Sequence, residues 1–367
     1  MEIRKRKMRI IFISYVDTEC TDSGSSVRPL RMLEAFKESG HDVVALTGSE
    51  MASNRKAKIR EVLQKIQEKP VDLCYIESST YPIMLHKDRK LIKVLCHMGI
   101  PTGYFYRDFY RKFPELFPRR KGFVNGLKEF YIDIMQWLTD RVLRYCDIVY
   151  FPSDKSHSLF SYRDMRTLPP AGEYRISDFN HSYNTIIYVG GVTELYGFDT
   201  LIRAMKIVYK QNKMIKLIVV CREKEWNKIK HKYYDISWME IYHTSGTGLE
   251  PLYRKADIGI LTKKRNEYNE MAVSVKLFEY ISYGLPVIST HSETTDKIIN
   301  DLKIGITVED NEKAIANGIE QLLCYQKKYM EYCENIKYVL KNSCQWKHRA
   351  EQVVHDLTMK NKEVQCG

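Results

Sequence analysis

The stretch Val275-Lys276-Leu277-Phe278-Glu279-Tyr280-Ile281-Ser282-Tyr283-Gly284-Leu285-Pro286-Val287-Ile288 reads as a helix that stops at a glycine and passes into a buried strand. Leu277 and Ile281 recur at helical spacing and form an apolar side that can lie on a sheet. Lys276, Glu279 and Tyr283 stand at i, i+3 and i+7 and share a polar side. Gly284 and Pro286 punctuate the change, because glycine tolerates the turn and proline cannot continue the helix. A helix of this kind running straight into a β-branched strand is one αβ step of a parallel sheet.

Outward from this block the same alternation fills the chain. Strands are predicted over 9–15, 42–46, 72–76, 102–106 and 147–151, with helices over 27–39, 56–68, 89–98 and 122–145 between them. Short β-branched runs alternating with longer amphipathic ones indicate parallel sheets covered by helices. Periodicity breaks over 162–183, around Leu168-Pro169-Pro170-Ala171-Gly172, the best place for a linker. It restarts with strands over 185–189, 216–221, 240–243, 257–261, 286–290 and 305–308, and helices over 198–209, 224–232, 249–255, 275–283, 295–301 and 312–323. The polar stretch 325–357 is helical. The expectation is two Rossmann-like doubly wound α/β domains, 1–170 and 171–344, facing across a cleft. A last helix within 345–367 is expected to return to the first domain. With 367 residues, two domains also suit the length.

Composition narrows the class. The nine cysteines are scattered, and no pair has C-x-x-C spacing, which favours reduced thiols over a disulfide framework or a zinc site. The basic start before Ile10-Ile11-Phe12-Ile13 resembles a secretory signal, but Asp17, Glu19 and Asp22 follow where small residues should stand, so it is read as a strand. No apolar run approaches the ~18 residues of a spanning helix, so a cytosolic or peripheral protein is expected, at most on the inner face of the cell membrane. The net charge of +12 favours polyanions. It is interleaved with carboxylates and belongs to no nucleic-acid-binding module, so a nucleic-acid partner is not expected.

Three segments together resemble family 4 of the glycosyltransferases and between them reach most of the chain. The first is the small-residue turn Ser23-Gly24-Ser25-Ser26-Val27-Arg28-Pro29. The second is Ile187-Tyr188-Val189-Gly190-Gly191-Val192, followed by Tyr196-Gly197-Phe198-Asp199-Thr200-Leu201. The third and most specific is the opening block, 275–288. The resemblance implies a GT-B fold and transfer of a sugar, with retention, from a nucleoside diphosphate sugar of the UDP type. The acceptor would be a glycan or lipid-linked, in assembly of a surface polysaccharide. It also implies that no metal or other cofactor is required, and the sequence contains no D-x-D pair to suggest one. A nucleotide-sugar epimerase of the same fold, or a non-catalytic nucleotide-sugar or polyanion binder, stays open. Gly190-Gly191 lacks the G-x-G-x-x-G continuation of a dinucleotide oxidoreductase.

The chemistry of the donor assigns residues. Charge accumulates on the diphosphate as the sugar departs, so backbone N–H groups and cations must meet it. Ser274 is a plausible N-cap for the helix beginning at Val275, whose first N–H groups would point at an anion. Gly190 and Gly191 permit a second close backbone approach. Lys276 is placed to meet phosphate, and Glu279 takes the place of the family glutamate that accepts the ribose hydroxyls. Arg222, His243 and Met271 complete the expected donor contacts. Two departures stand out. The position eight before Glu279 is Met271, with Glu270 one place early, so the family's first glutamate is missing or shifted. The usual arginine and lysine after the domain's first strand are replaced by Gly191 and Tyr196, so Lys276 and Arg222 are expected to supply the charge.

On the acceptor side the candidates are Gly24, Ser25, Ser26 and Arg28. Arg107 and Asp108 follow the fourth strand, where Asp108 would orient or deprotonate the acceptor hydroxyl and Arg107 would meet a phosphate. The alternative for them is an ion pair that only fixes the loop. Aromatics and cations interleave from Phe109 to Lys121, and Phe123, Leu127, Phe130, Ile134, Trp137 and Leu138 recur at helical spacing. Residues 109–145 are therefore expected to meet an anionic membrane or, equally consistent with the spacing, to pack as core.

Overall fold

The structure is a computed structural model describing residues 6–16, 26–119, 121–177, 183–233 and 236–366, with side chains to residue 360. The chain divides into two compact units, Met1–Pro169 with Trp346–Gly367, and Pro170–Gln345.

The first unit is built on β1 (Arg9–Ser14), β2 (Asp42–Leu46), β3 (Leu73–Glu77), β4 (Thr102–Phe105), β5 (Ile148–Phe151) and β6 (Met165–Thr167). All pairs are parallel, in the order β2-β1-β3-β4-β5-β6. Helices α1 (Val27–Glu38), α2 (Arg55–Glu68), α3 (His86–His97) and α4 (Phe123–Leu143) connect them. Ile10 to Ile13 are completely buried, because a strand inside a parallel sheet is covered on both faces. Between β1, β2 and α3, Arg55 donates to the carbonyls of Ser14 and Gly48 and reaches Asp88 at 2.7 Å, so its buried charge is neutralised where it lies.

Strand β6 lies inside the stretch expected to be a linker, and pairs Val149 with Met165. Three residues with no apolar run leave no periodicity to read. The polar helical stretch 325–357 is two helices. The first, α12 (Gln326–Asn342), belongs to the second unit, and α13 (Trp346–Cys366) packs on α1, β3 and β4 of the first. Asp356 of α13 accepts from Tyr150 and pairs with Arg166, and Gln352 donates to the carbonyl of Thr167.

The second unit holds β7 (Thr185–Val189), β8 (Lys216–Val220), β9 (Met239–Tyr242), β10 (Ile258–Leu261), β11 (Val287–Thr290) and β12 (Gly305–Val308). Their order is β12-β11-β10-β7-β8-β9, again parallel. Around them lie α5 (Phe198–Gln211), α6 (Glu223–Ile229), α7 (Glu250–Lys255), the short α8 (Glu267–Met271), α9 (Val275–Ser282), α10 (Glu293–Leu302) and α11 (Glu312–Cys324). The strand order reverses between β7 and β10. In an open parallel sheet that reversal leaves a gap between the connections at the carboxyl ends, where ligands bind.

Candidate functional site

Helix α9 is fixed at that reversal by one side chain. The hydroxyl of buried Tyr280 accepts the backbone N–H of Val189 at 3.0 Å and donates to the carbonyl of Ile260 at 3.2 Å, so it joins the ends of β7 and β10. The ring fits because residue 259 is glycine, where a Cβ would lie 2.3 Å from a ring carbon. Leu277 and Ile281 bury the apolar side of the helix, and its amino end is held at the carboxyl edge of the sheet.

The structure describes Ser274 as the N-cap in extended backbone, but its hydroxyl accepts no hydrogen bond from the first turn. The capping expected of that side chain is not made, which leaves the leading N–H groups of Val275 and Lys276 without a side-chain cap. The Gly190-Gly191 turn continues β7 alongside. Gly190 donates to the carbonyl of Val220, and a Cβ on it would stand 2.9 Å from the Tyr188 hydroxyl and 3.3 Å from the Lys276 ammonium. Lys276 is thus half-buried beside the glycine turn, 6.0 Å from the centre of the Tyr196 ring. Burial lowers its pKa, partly offset by Glu279.

Glu279, one turn on, is also half-buried and accepts from the hydroxyl of buried Tyr253 at 2.9 Å, which orients the carboxylate. Arg222 is 84% exposed and leans on Glu225 at 3.3 Å, so much of its charge is spent in solvent. Glu225 also accepts from Val192 N–H at 3.4 Å. His243, just beyond β9, uses Nδ1 to donate to the carbonyl of Cys221 at 2.9 Å. A carbonyl only accepts, so Nδ1 carries the proton in this contact, and in the neutral imidazole Nε2 is an acceptor.

Glu270 and Met271 end α8. The Glu270 carboxylate is buried, held by Arg265 at 2.5 Å and by the N–H of Glu293 at 2.6 Å, while its carbonyl accepts from Thr294. It is committed to the start of α10, where a negative charge complements the helix dipole.

The residue that sequence reasoning missed is Lys263. It follows β10 at the reversal point, with its backbone pinned on both sides. The Thr290 hydroxyl accepts its N–H and donates to its carbonyl, both at 2.8 Å. On the other side the Thr262 hydroxyl donates to the carbonyl of Tyr196, and Lys264 N–H to that of Leu195. Burial, then the like charge of Lys276, brings the Lys263 pKa down to about 8. Two half-buried ammonium groups close enough for one to lower the pKa of the other make this place a candidate for an anion. The available signal was a lysine two residues past a fully apolar strand, and it acquires meaning only once the strand order is known.

In the first unit, Arg107 and Asp108 follow β4 as a half-buried pair at 3.6 Å. Thr80 donates to Asp108 at 2.8 Å, and Arg107 N–H donates to the hydroxyl of Ser78, so the loops after β3 and β4 are tied together. Gly24 and Ser25 lie outside the described residues. Ser26 is buried at the start of α1. Arg28, expected on the acceptor loop, is instead interior. Its Nε meets Glu77 at 3.0 Å, Tyr75 joins the same carboxylate, and the guanidinium lies 3.4 Å from the centre of the Phe105 ring. Its charge is paired with Glu77 inside the unit, while its buried Nη1 makes no hydrogen bond.

Residues 183–324, within the second unit, match the model of the family described as "Glycosyl transferases group 1". No curated protein matches the chain by sequence. Among solved structures, sucrose-phosphate synthase from Thermosynechococcus elongatus superposes with a TM-score of 0.64 at 12% identity, covering 98% of this chain and 100% of that one. The Anabaena protein HepE in complex with UDP gives 0.64 at 13% identity, covering 96% and 100%. WaaG, described as a glycosyltransferase involved in lipopolysaccharide biosynthesis, gives 0.59 at 16%, covering 94% and 98%. At such identities the likeness establishes the fold, and the fold is GT-B.

Proposed function

We propose that this protein moves a sugar from a nucleoside diphosphate sugar, a UDP-sugar by preference, to a glycan or lipid-linked acceptor in synthesis of a surface polysaccharide, with retention at the anomeric carbon. The observation that carries the reading is that Lys276, Lys263 and the amino end of α9, which has no side-chain cap, stand at the strand-order reversal of the unit whose residues 183–324 match "Glycosyl transferases group 1". Cations and N–H groups in one half-buried place favour the charge that grows on a departing diphosphate. In this reading Lys276 and Lys263 take the phosphates, Gly190 and Gly191 let the backbone approach, and no metal is needed.

Glu279, oriented by Tyr253, accepts from the ribose hydroxyls. His243 offers Nε2 to the nucleoside, and Met271 and Val275 line the same edge. Asp108, oriented by Thr80 and Arg107, receives the acceptor proton. The UDP complex of HepE and the description of WaaG support UDP and a polysaccharide role as first choices to test.

The test is to incubate the purified chain with a panel of nucleotide sugars, with and without a membrane extract, and to measure nucleoside diphosphate release. Release that depends on the extract is expected and should survive a chelator. Silence across the panel would overturn the reading in favour of binding alone. Turnover of donor without any acceptor would favour the epimerase.

A further inference from the structure

Helix α4 is anchored to the first unit by one side only. Met135, Thr139, Val142 and Leu143 are buried, and Thr139 accepts the N–H of Ile83. Phe123, Leu127, Phe130, Ile134 and Trp137 are exposed, Phe123 at 84%, Phe130 at 64% and Trp137 at 56%. At ~100° per residue these five fall within about 80° of arc, about 145° round from the centre of the buried set. Between Phe123 and Tyr131 all but Asn125 and Glu129 are exposed. The spacing that suits core packing is therefore a surface stripe, and a stripe of this size on a monomer marks contact with something else.

Charge selects the occupant. Residues 109–145 carry eight cationic side chains and four carboxylates. The carboxylates of the helix are already engaged. Glu129 is paired with Arg111 at 2.8 Å, Asp133 with Arg111 and with Arg119 at 2.8 Å, and Asp140 accepts from Tyr162 at 2.9 Å and from Gln136 at 3.0 Å. Lys121, Lys128, Arg141 and Arg144 stay exposed, with Arg141 stacked 4.8 Å from the Trp137 ring. Arg141 thus lies on the stripe and Arg144 beside it, Lys121 and Lys128 add exposed charge near its amino end, and the acids are masked.

We propose that α4 lies in the interface of an anionic lipid bilayer, with Phe123, Leu127, Phe130 and Trp137 at the boundary of headgroups and acyl chains and the exposed cations on lipid phosphates. Among the described residues no helix is long and apolar enough to cross a membrane, so this contact is in the plane of the surface. The inference is independent of the donor site.

Sedimentation with sucrose-loaded vesicles tests it, using phosphatidylcholine alone or in equal parts with phosphatidylglycerol. The full chain should bind the anionic vesicles, with a blue shift of tryptophan emission, and bind the neutral ones far less. The combination Phe123→Ser, Phe130→Ser and Trp137→Ser should reduce binding by about tenfold or more with an unchanged melting temperature, since all three are exposed. Lys128→Glu with Arg144→Glu should abolish the preference for anionic lipid without touching the stripe. Absence of vesicle binding, or binding indifferent to both sets, would overturn the proposal. A dimer that ignores vesicles and is split by the serine substitutions would make a second copy the occupant and overturn it as well.

Discussion

Gly259 on β10 leaves the space that the ring of Tyr280 fills, with 2.3 Å between the ring and the position of an absent Cβ. Through that contact a helix is locked onto the one place in its sheet where the strand order reverses. Gly259→Val should force the ring out and cost about 1–3 kcal/mol of stability. Tyr280→Phe keeps the packing but strands the N–H of Val189, for about 1–3 kcal/mol. Denaturant unfolding measures both, and in both the donor KM should rise more than the acceptor KM.

Glu279→Ala should raise the donor KM by roughly 10- to 100-fold, the value of a charge-assisted contact of about 1.5–3 kcal/mol, with a normal unfolding curve. Tyr253→Phe, which only frees the carboxylate to turn, should have a smaller effect in the same direction. Donor kinetics unchanged by Glu279→Ala would remove this residue from the site.

Lys263 gives a pH signature. Its pKa is lowered to about 8, so it is protonated below that pH and neutral above. A bound diphosphate favours the protonated form, so donor affinity should be flat below the pKa and fall as pH rises through it. Lys263→Arg should keep the affinity and remove the fall, while Lys263→Met should bind weakly at all pH values. Titration with UDP and with inorganic pyrophosphate separates these cases. If the native chain binds and Lys263→Met binds equally well, Lys276 acts without it.

Arg28→Met should destabilise the first unit by about 3–5 kcal/mol, because Glu77 would be left as an unpaired buried charge. Arg28→Met with Glu77→Gln should recover part of the loss. Any folded fraction should retain the acceptor KM, and a selective rise in that constant would return Arg28 to the acceptor site.

Much of the fold was legible because its pattern is local. Strands buried on both faces appear as apolar runs such as Ile10-Ile11-Phe12-Ile13, and the period of Leu277 and Ile281 marks the side of α9 that meets the sheet. β6 was illegible because its three residues form no apolar run and gain their place only from pairing with β5. The site was legible where one helix carries it, in Lys276 and Glu279. The partners of Arg28, Arg222 and Glu270 were not legible, since a charge in a string of letters does not reveal what it pairs with.

The sequence by itself determined two alternating α/β halves, the glycine turn after β7 and the polar side of α9, because these depend on periodicity and on residue types a few positions apart. Only the tertiary structure decided that β10 lies beside β7 and so brings Lys263 to Lys276, that Glu270 is taken by α10, and that the apolar stripe of α4 faces outward. Each of those is a question of which distant surface is left to cover a given side chain, and neighbours along the chain carry no record of it.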